Sequence, residues 1–172
     1  MSDYLVESKS RKDMRLIAEG FRELFYIENE IWVPIVKLLD AMRLVFDNFN
    51  YEIVPDDTFP PNIHAETDIR TGHIQIKESV FERACAGEGR DRMTIAHEIG
   101  HFITLCFFGF KLQRNMSNKQ SKPYNDPEWQ AKCFAGELMV SVRLTEGMSP
   151  AEIAKACGVS VDAAIYQYKH RD

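Results

Sequence analysis

The chain has 172 residues, 45% of them hydrophobic, which suits one domain, or one domain with a small appendage, around a sizeable core. Its formal net charge is −5, with acids and bases mixed along the sequence, so the basic stripe of a nucleic-acid binder is missing. Residues 1–8 show neither the basic start nor the apolar run of a secretory signal, and no stretch approaches the ~20 apolar residues of a membrane span. The four cysteines (Cys85, Cys106, Cys133, Cys157) form no C-x-x-C pair, so a reduced, cytoplasmic setting is expected, with the cysteines as core packing.

Apolar residues at three- and four-residue steps (Met14, Ile17, Ala18, Phe21, Leu24, Phe25) predict a helix over residues 10–28. Pro34 suits the first position of a second helix, which carries Ile35, Leu38, Leu39, Met42, Phe46 and Phe49 and runs to about residue 49. Residues 51–54 are a strand candidate, and Pro55, Pro60 and Pro61 mark a loop. Residues 63–77 alternate apolar and polar around Arg70-Thr71-Gly72, the pattern of a hairpin whose second strand is 73–77. His64 and His73 read as strand-surface residues. A short helix over 78–86 follows, then a break at 87–90, with Asp91 as the cap of a helix reaching about residue 108. Residues 113–125 are polar and slightly basic, a loop long enough to be a functional lid or disordered. Pro127 opens a helix through about residue 142, and Ser149-Pro150-Ala151-Glu152 starts a last pair of short helices. This order of elements is an α+β layout: a small mixed or antiparallel sheet packed with the 91–108 helix, and a mainly helical C-terminal half.

Within that helix His97-Glu98-Ile99-Gly100-His101 reads H-E-x-x-H. On a helix, positions i and i+4 share a face, so two imidazoles there can hold one metal ion, with Glu98 near enough to take a proton from its water. The flanks Thr94-Ile95-Ala96 and Phe102-Ile103 are uncharged, as a water-poor metal site needs. Gly100 costs about 1 kcal/mol against Ala in a helix interior, a cost that makes sense where another backbone or a substrate comes close. The competing reading is a helix that carries two core histidines.

Catalytic zinc takes three protein ligands and keeps one position open. The extended pattern H-E-x-x-H-x-x-G-x-x-H needs Gly at 104 and His at 107; Thr104 and Phe107 exclude it. The other arrangement takes a carboxylate from a later helix, and the downstream acids are Asp126, Glu128, Glu137 and Glu146. At about 100° per residue, Ala131, Ala135, Leu138, Met139 and Val142 form one stripe. Glu128 lies at its edge and Glu137 points the other way. The small Ala131 and Ala135 would let two helices approach closely, which selects Glu128. A surface ion pair of Glu128 with Lys132, worth a few tenths of a kcal/mol, competes with that role.

Residues 93–101 (M-T-I-A-H-E-I-G-H) resemble the F-T-x-A-H-E-[IL]-G-H segment of the ImmA/IrrE family of metallopeptidases. Residues 128–139 resemble that family's E-x-x-A-N-x-F-A-x-x-L-[LM] segment, Gly158-Val159-Ser160 its later G-V-S turn, and Gly72 to Ile76 its preceding strand. The resemblance spans roughly residues 60–169. It implies a zincin-like domain over residues 1–148 (N-terminal helices 10–49, hairpin sheet 51–77, motif helix 91–108, ligand helix 127–142) and a C-terminal helical pair over 149–172. It also implies Zn²⁺ held by His97, His101 and Glu128, with Glu98 as the catalytic base. The activity implied is a cytoplasmic regulatory endopeptidase, whose substrate in the family is commonly a helix-turn-helix repressor of the XRE type. Two positions depart from the pattern. Lys132 stands where the family has Asn, an acceptor for a zinc-bound histidine; lysine only donates. Val140 replaces the usual Pro.

The expected mechanism has Glu98 take a proton from zinc-activated water and deliver it to the leaving amine. The substrate is expected to add to an edge strand at His73, Ile74, Gln75 and Ile76. Tyr124 is a candidate to stabilise the oxyanion, against a plain packing role. Two rivals remain. Residues 151–160 look like the first helix and turn of a helix-turn-helix. The following 161–169 helix is poor in Arg and Lys, so the pair reads as structural and direct nucleic-acid binding is disfavoured. The other rival, kept open by Lys132, is a metal-binding regulator of a mobile element or toxin–antitoxin system without peptidase activity.

Overall fold

The computed structural model describes residues 7–108 and 123–171, and shows an α+β fold of seven helices and one three-stranded mixed sheet. Of the loop expected over 113–125, residues 113–122 lie outside the described residues; the remainder forms a 3₁₀ turn, Pro123–Asn125. Helix α1 (Arg11–Leu24) starts at a capping box between Ser10 and Asp13. Helix α2 (Ile35–Val45) is shorter than its apolar pattern. Pro34 is its N-cap rather than its first residue, and the chain turns extended at Phe46. Phe46 and Phe49 therefore leave the helix and meet Phe102 edge-on, with centroids 5.4 and 4.8 Å from its ring.

Strands β1 (Asn50–Val54), β2 (Ala65–Asp68) and β3 (His73–Lys77) run in the order β1-β3-β2. The hairpin forms as its alternation predicts, with β2 antiparallel to β3 and Gly72 at φ +77° in the turn. β1 then pairs parallel to β3, matching Tyr51 with Ile74. This corrects the expectation that His73, Ile74, Gln75 and Ile76 form the substrate-binding edge. β3 is the central strand, and its main-chain groups are shared between two neighbours. Among the described residues the free edge beside α4 is β2. Lys77 N donates to His64 O, so alternation turns the main-chain groups of Glu66 and Asp68 towards β3 and those of Ala65 and Thr67 outwards. His73 lies on the sheet surface against Glu52 at 3.3 Å, and His64 Nε2 lies 3.2 Å from Arg90.

Helix α3 (Glu78–Cys85) leads into α4 (Gly89–Phe108), which begins two residues before Asp91. Asp91 is therefore not its cap; it takes Arg83 at two points, 2.8 and 3.0 Å. α5 (Pro127–Met139) is capped by Asp126 and ends three residues short of its expected limit. α6 (Pro150–Cys157) and α7 (Val161–Lys169) form the C-terminal pair.

α4 lies between the sheet and α5, with Ile95, Ala96, Ile99, Phe102 and Ile103 fully buried. α5 is enclosed in turn by α4 and α1. The C-terminal pair adds Ile153, Cys157, Val159 and Ala164 to the same core. Arg92 of α4 clamps it there, donating to the carbonyls of Val33, Cys157 and Gly158 and stacking over Trp32 at 4.0 Å. Cys133 and Cys157 are buried as expected, which pushes each thiol up to about 11. Cys85 is exposed, because it ends α3 on the solvent side, and so departs from the core-packing expectation. Cys106 lies outside the described side chains. No helix among the described residues is long and apolar enough to cross a membrane.

Candidate metal centre

The close contact of α4 with α5 brings the site together. A Cβ on Gly100 would lie 2.7 Å from the Ala131 carbonyl oxygen and 3.0 Å from Ala131 Cα. Only a glycine lets the two backbones approach this closely. Glu128, three residues before Ala131, is thereby brought over the His97–His101 face of α4. Glu128, the carboxylate expected from helical phase, is the one the structure brings to the two histidines.

His97 Nε2 and His101 Nε2 are 3.0 Å apart. Glu128 Oε2 is 3.4 Å from His97 Nε2, and Glu128 Oε1 is 3.2 Å from His101 Nε2. Ligands bound to zinc at 2.0–2.1 Å in a tetrahedron are separated by about 3.3 Å. The three donors therefore already stand near the spacing of three tetrahedral corners, and together they are a group able to hold a metal ion. The histidines are mostly enclosed, whereas the Glu128 side chain is 48% exposed, which leaves access from the cleft. Hydrogen bonds from His101 and then His97 hold the Glu128 carboxyl well below the usual carboxylate range, so it is an anion ready to ligate. Both its oxygens turn to the imidazoles, and the surface pair with Lys132 is not formed.

Glu98 is buried beside His97. The Thr67 hydroxyl donates to Glu98 Oε2 at 2.6 Å and sits 3.2 Å from the Glu98 carbonyl oxygen. This ties the candidate base to the free-edge strand. Sequence reasoning missed Thr67. The available signal was a polar residue at an inward position of β2, buried between exposed Glu66 and Asp68.

Glu137 is excluded as a ligand, but not because its face is solvated. It is buried and held by Arg11 and Arg15 at 2.8 Å each. Enclosed as it is between α1 and α4, α5 has no single core face. Thr104 donates back to the Gly100 carbonyl at 2.7 Å. Tyr124, the candidate for the oxyanion, is placed away from the three donors. The 3₁₀ turn sends its ring edge-on against Trp129, 5.1 Å between centroids, and it does not line the cleft.

The cleft over the three donors measures about 1400 Å³ and runs between the β2 edge and the start of α5, with His97, Glu98 and His101 in its floor. Lys132 lines it too and is exposed. Among the described residues its ammonium makes no hydrogen bond or ion pair, and neither histidine's Nδ1 meets an acceptor. Comparison of the chain with protein-family models, with curated proteins and with solved structures returns no match.

Proposed function

We propose that the chain is a zinc-dependent endopeptidase of the ImmA/IrrE type, with a zincin-like arrangement of motif helix, ligand helix and edge strand, acting in the reducing cytoplasm. The observation that carries this reading is the spacing of the His97, His101 and Glu128 donors, 3.0 to 3.4 Å, with Glu98 beside them in a cleft bordered by a free strand edge. Zinc bound there would supply Lewis acidity, lowering the pKa of water towards about 7 and polarising a carbonyl oxygen. His97, His101 and Glu128 would hold it. Glu98, oriented by the Thr67 hydroxyl, takes the proton from the attacking water and returns it to the leaving amine. The outward main-chain groups of Ala65 and Thr67 on β2 pair with an extended substrate, replacing the role first expected of β3. The partner class is the one the sequence resemblance implies, a helix-turn-helix repressor.

Lys132 favours a second reading, a metal-binding regulator without proteolysis, because it offers His97 no acceptor. Two measurements separate the readings. Metal analysis is expected to find stoichiometric zinc in the wild type and loss of it in Glu128→Ala. A peptide library is expected to be cut by the zinc-replete wild type and left intact by Glu98→Gln or after chelation. Full zinc in Glu128→Ala overturns the ligand set. Equal cleavage by Glu98→Gln overturns the mechanism. Stoichiometric zinc with no cleavage by the wild type establishes the second reading.

A further inference from the structure

A second cavity, of about 510 Å³, lies between α4, α5 and α7, and shares Thr94, His97 and Lys132 with the cleft. Its body is apolar, with Met93, Trp129, Ala163 and the Tyr166 ring in its walls, and its size is that of a small-molecule site. Its charged lining is entirely cationic: Arg11, Arg90 and Lys132. Arg11 is committed to Glu137 at 2.8 Å, to Gln167 and to Tyr166, and Arg90 stands against His64. Lys132 has no such partner among the described residues.

The need of His97 points to the same place. A metal-bound histidine almost always donates its other ring N–H to a carboxylate, carbonyl or water, which fixes its orientation and strengthens it as a ligand. With Nε2 turned to Glu128, Nδ1 is the nitrogen left for that bond, and no described residue accepts it. Lys132, one turn after Glu128 on α5, lines the cavity together with His97 and can only donate.

We propose that this cavity binds a small amphipathic carboxylate, such as a medium-chain fatty acid. Its tail lies among Met93, Trp129 and Ala163, and its carboxylate bridges Lys132 to His97. The carboxylate supplies the acceptor that no described residue offers, so metal affinity depends on the ligand. This rests on the metal site proposed above, not on peptidase activity.

Decanoate is the probe and decanol its uncharged control. Trp129 fluorescence reports entry to the cavity, and chelator competition reports zinc affinity. Decanoate is expected to change the fluorescence saturably and to tighten zinc binding about tenfold, the lower end of what an orienting partner contributes. Zinc should then tighten decanoate binding by the same factor. Lys132→Met should lose both effects. Lys132→Asn, which installs an acceptor, should bind zinc more tightly without decanoate and become indifferent to it. Zinc affinity that ignores decanoate, or that responds equally to decanol or in Lys132→Met, overturns the proposal. Saturable decanoate binding by a protein that takes up no zinc under either condition refutes the metal reading and supports the cavity alone.

Discussion

Replacing Gly100 with alanine tests whether the glycine places the ligand set. The new Cβ would sit 2.7 Å from the Ala131 carbonyl oxygen, where ordinary contact begins at 3.4 Å. The clash is with backbone, which no side-chain rotation relieves. α4 and α5 must therefore separate by about 0.7 Å, well outside the ±0.2 Å within which metal–ligand distances are held. The two helices carry different members of the proposed ligand set, His97 and His101 on one and Glu128 on the other, so the separation would act directly on the position of a bound metal. Overpacking costs about 1–3 kcal/mol, and alanine recovers about 1 kcal/mol of helix propensity. The net loss of about 0–2 kcal/mol lowers Tm by no more than about 8 °C in a chain of this size. Zinc affinity is expected to fall more than tenfold while the fold survives. Chelator competition and circular dichroism melting on the same samples measure the two effects. Wild-type zinc affinity in Gly100→Ala, with the expected modest change in Tm, would refute the argument that this close approach sets the geometry.

Thr67→Val keeps the shape of the side chain and removes the hydroxyl that donates to Glu98 at 2.6 Å. Losing a buried hydrogen bond to a charged group costs about 1.5–3 kcal/mol in urea unfolding. If Glu98 is the base, kcat falls more than KM rises; an unchanged kcat would show that the hydroxyl does not orient it. Arg92→Leu leaves the carbonyls of Val33, Cys157 and Gly158 without their donor. A loss of about 3 kcal/mol, and of about 6–12 °C in Tm, is expected; a wild-type melt would remove Arg92 as the clamp on the C-terminal pair. At pH 8 iodoacetamide should label exposed Cys85 first. Burial raises the Cys133 and Cys157 thiols to about 11, so only about one in a thousand is a thiolate at that pH. Their reactivity should rise as pH approaches 11, or on unfolding. Rapid labelling of either in the native protein, read by mass spectrometry, would contradict this packing.

The parts of the site legible in the sequence are those governed by local periodicity. His97 and His101 share a helix face because they are four residues apart, and Glu98 is their neighbour. Glu128 followed from the phase of the helix expected over 127–142 and the small residues beside it. The hairpin followed from alternation around Gly72. The rest depends on contacts between segments distant in the chain, which leave no local period. Nothing in residues 51–54 announces that they pair parallel to β3, yet that pairing moves the free edge from His73–Lys77 to Ala65–Asp68. Thr67 finds Glu98 across 31 residues and Glu137 finds Arg11 across 126; each bond satisfies a buried carboxylate that composition alone would leave at the surface. Helical spacing determined which atoms can bind a metal, because the helix repeats every 3.6 residues wherever it occurs. Tertiary packing alone decided which strand edge and which hydroxyl meet them, because burial and strand order depend on the whole chain.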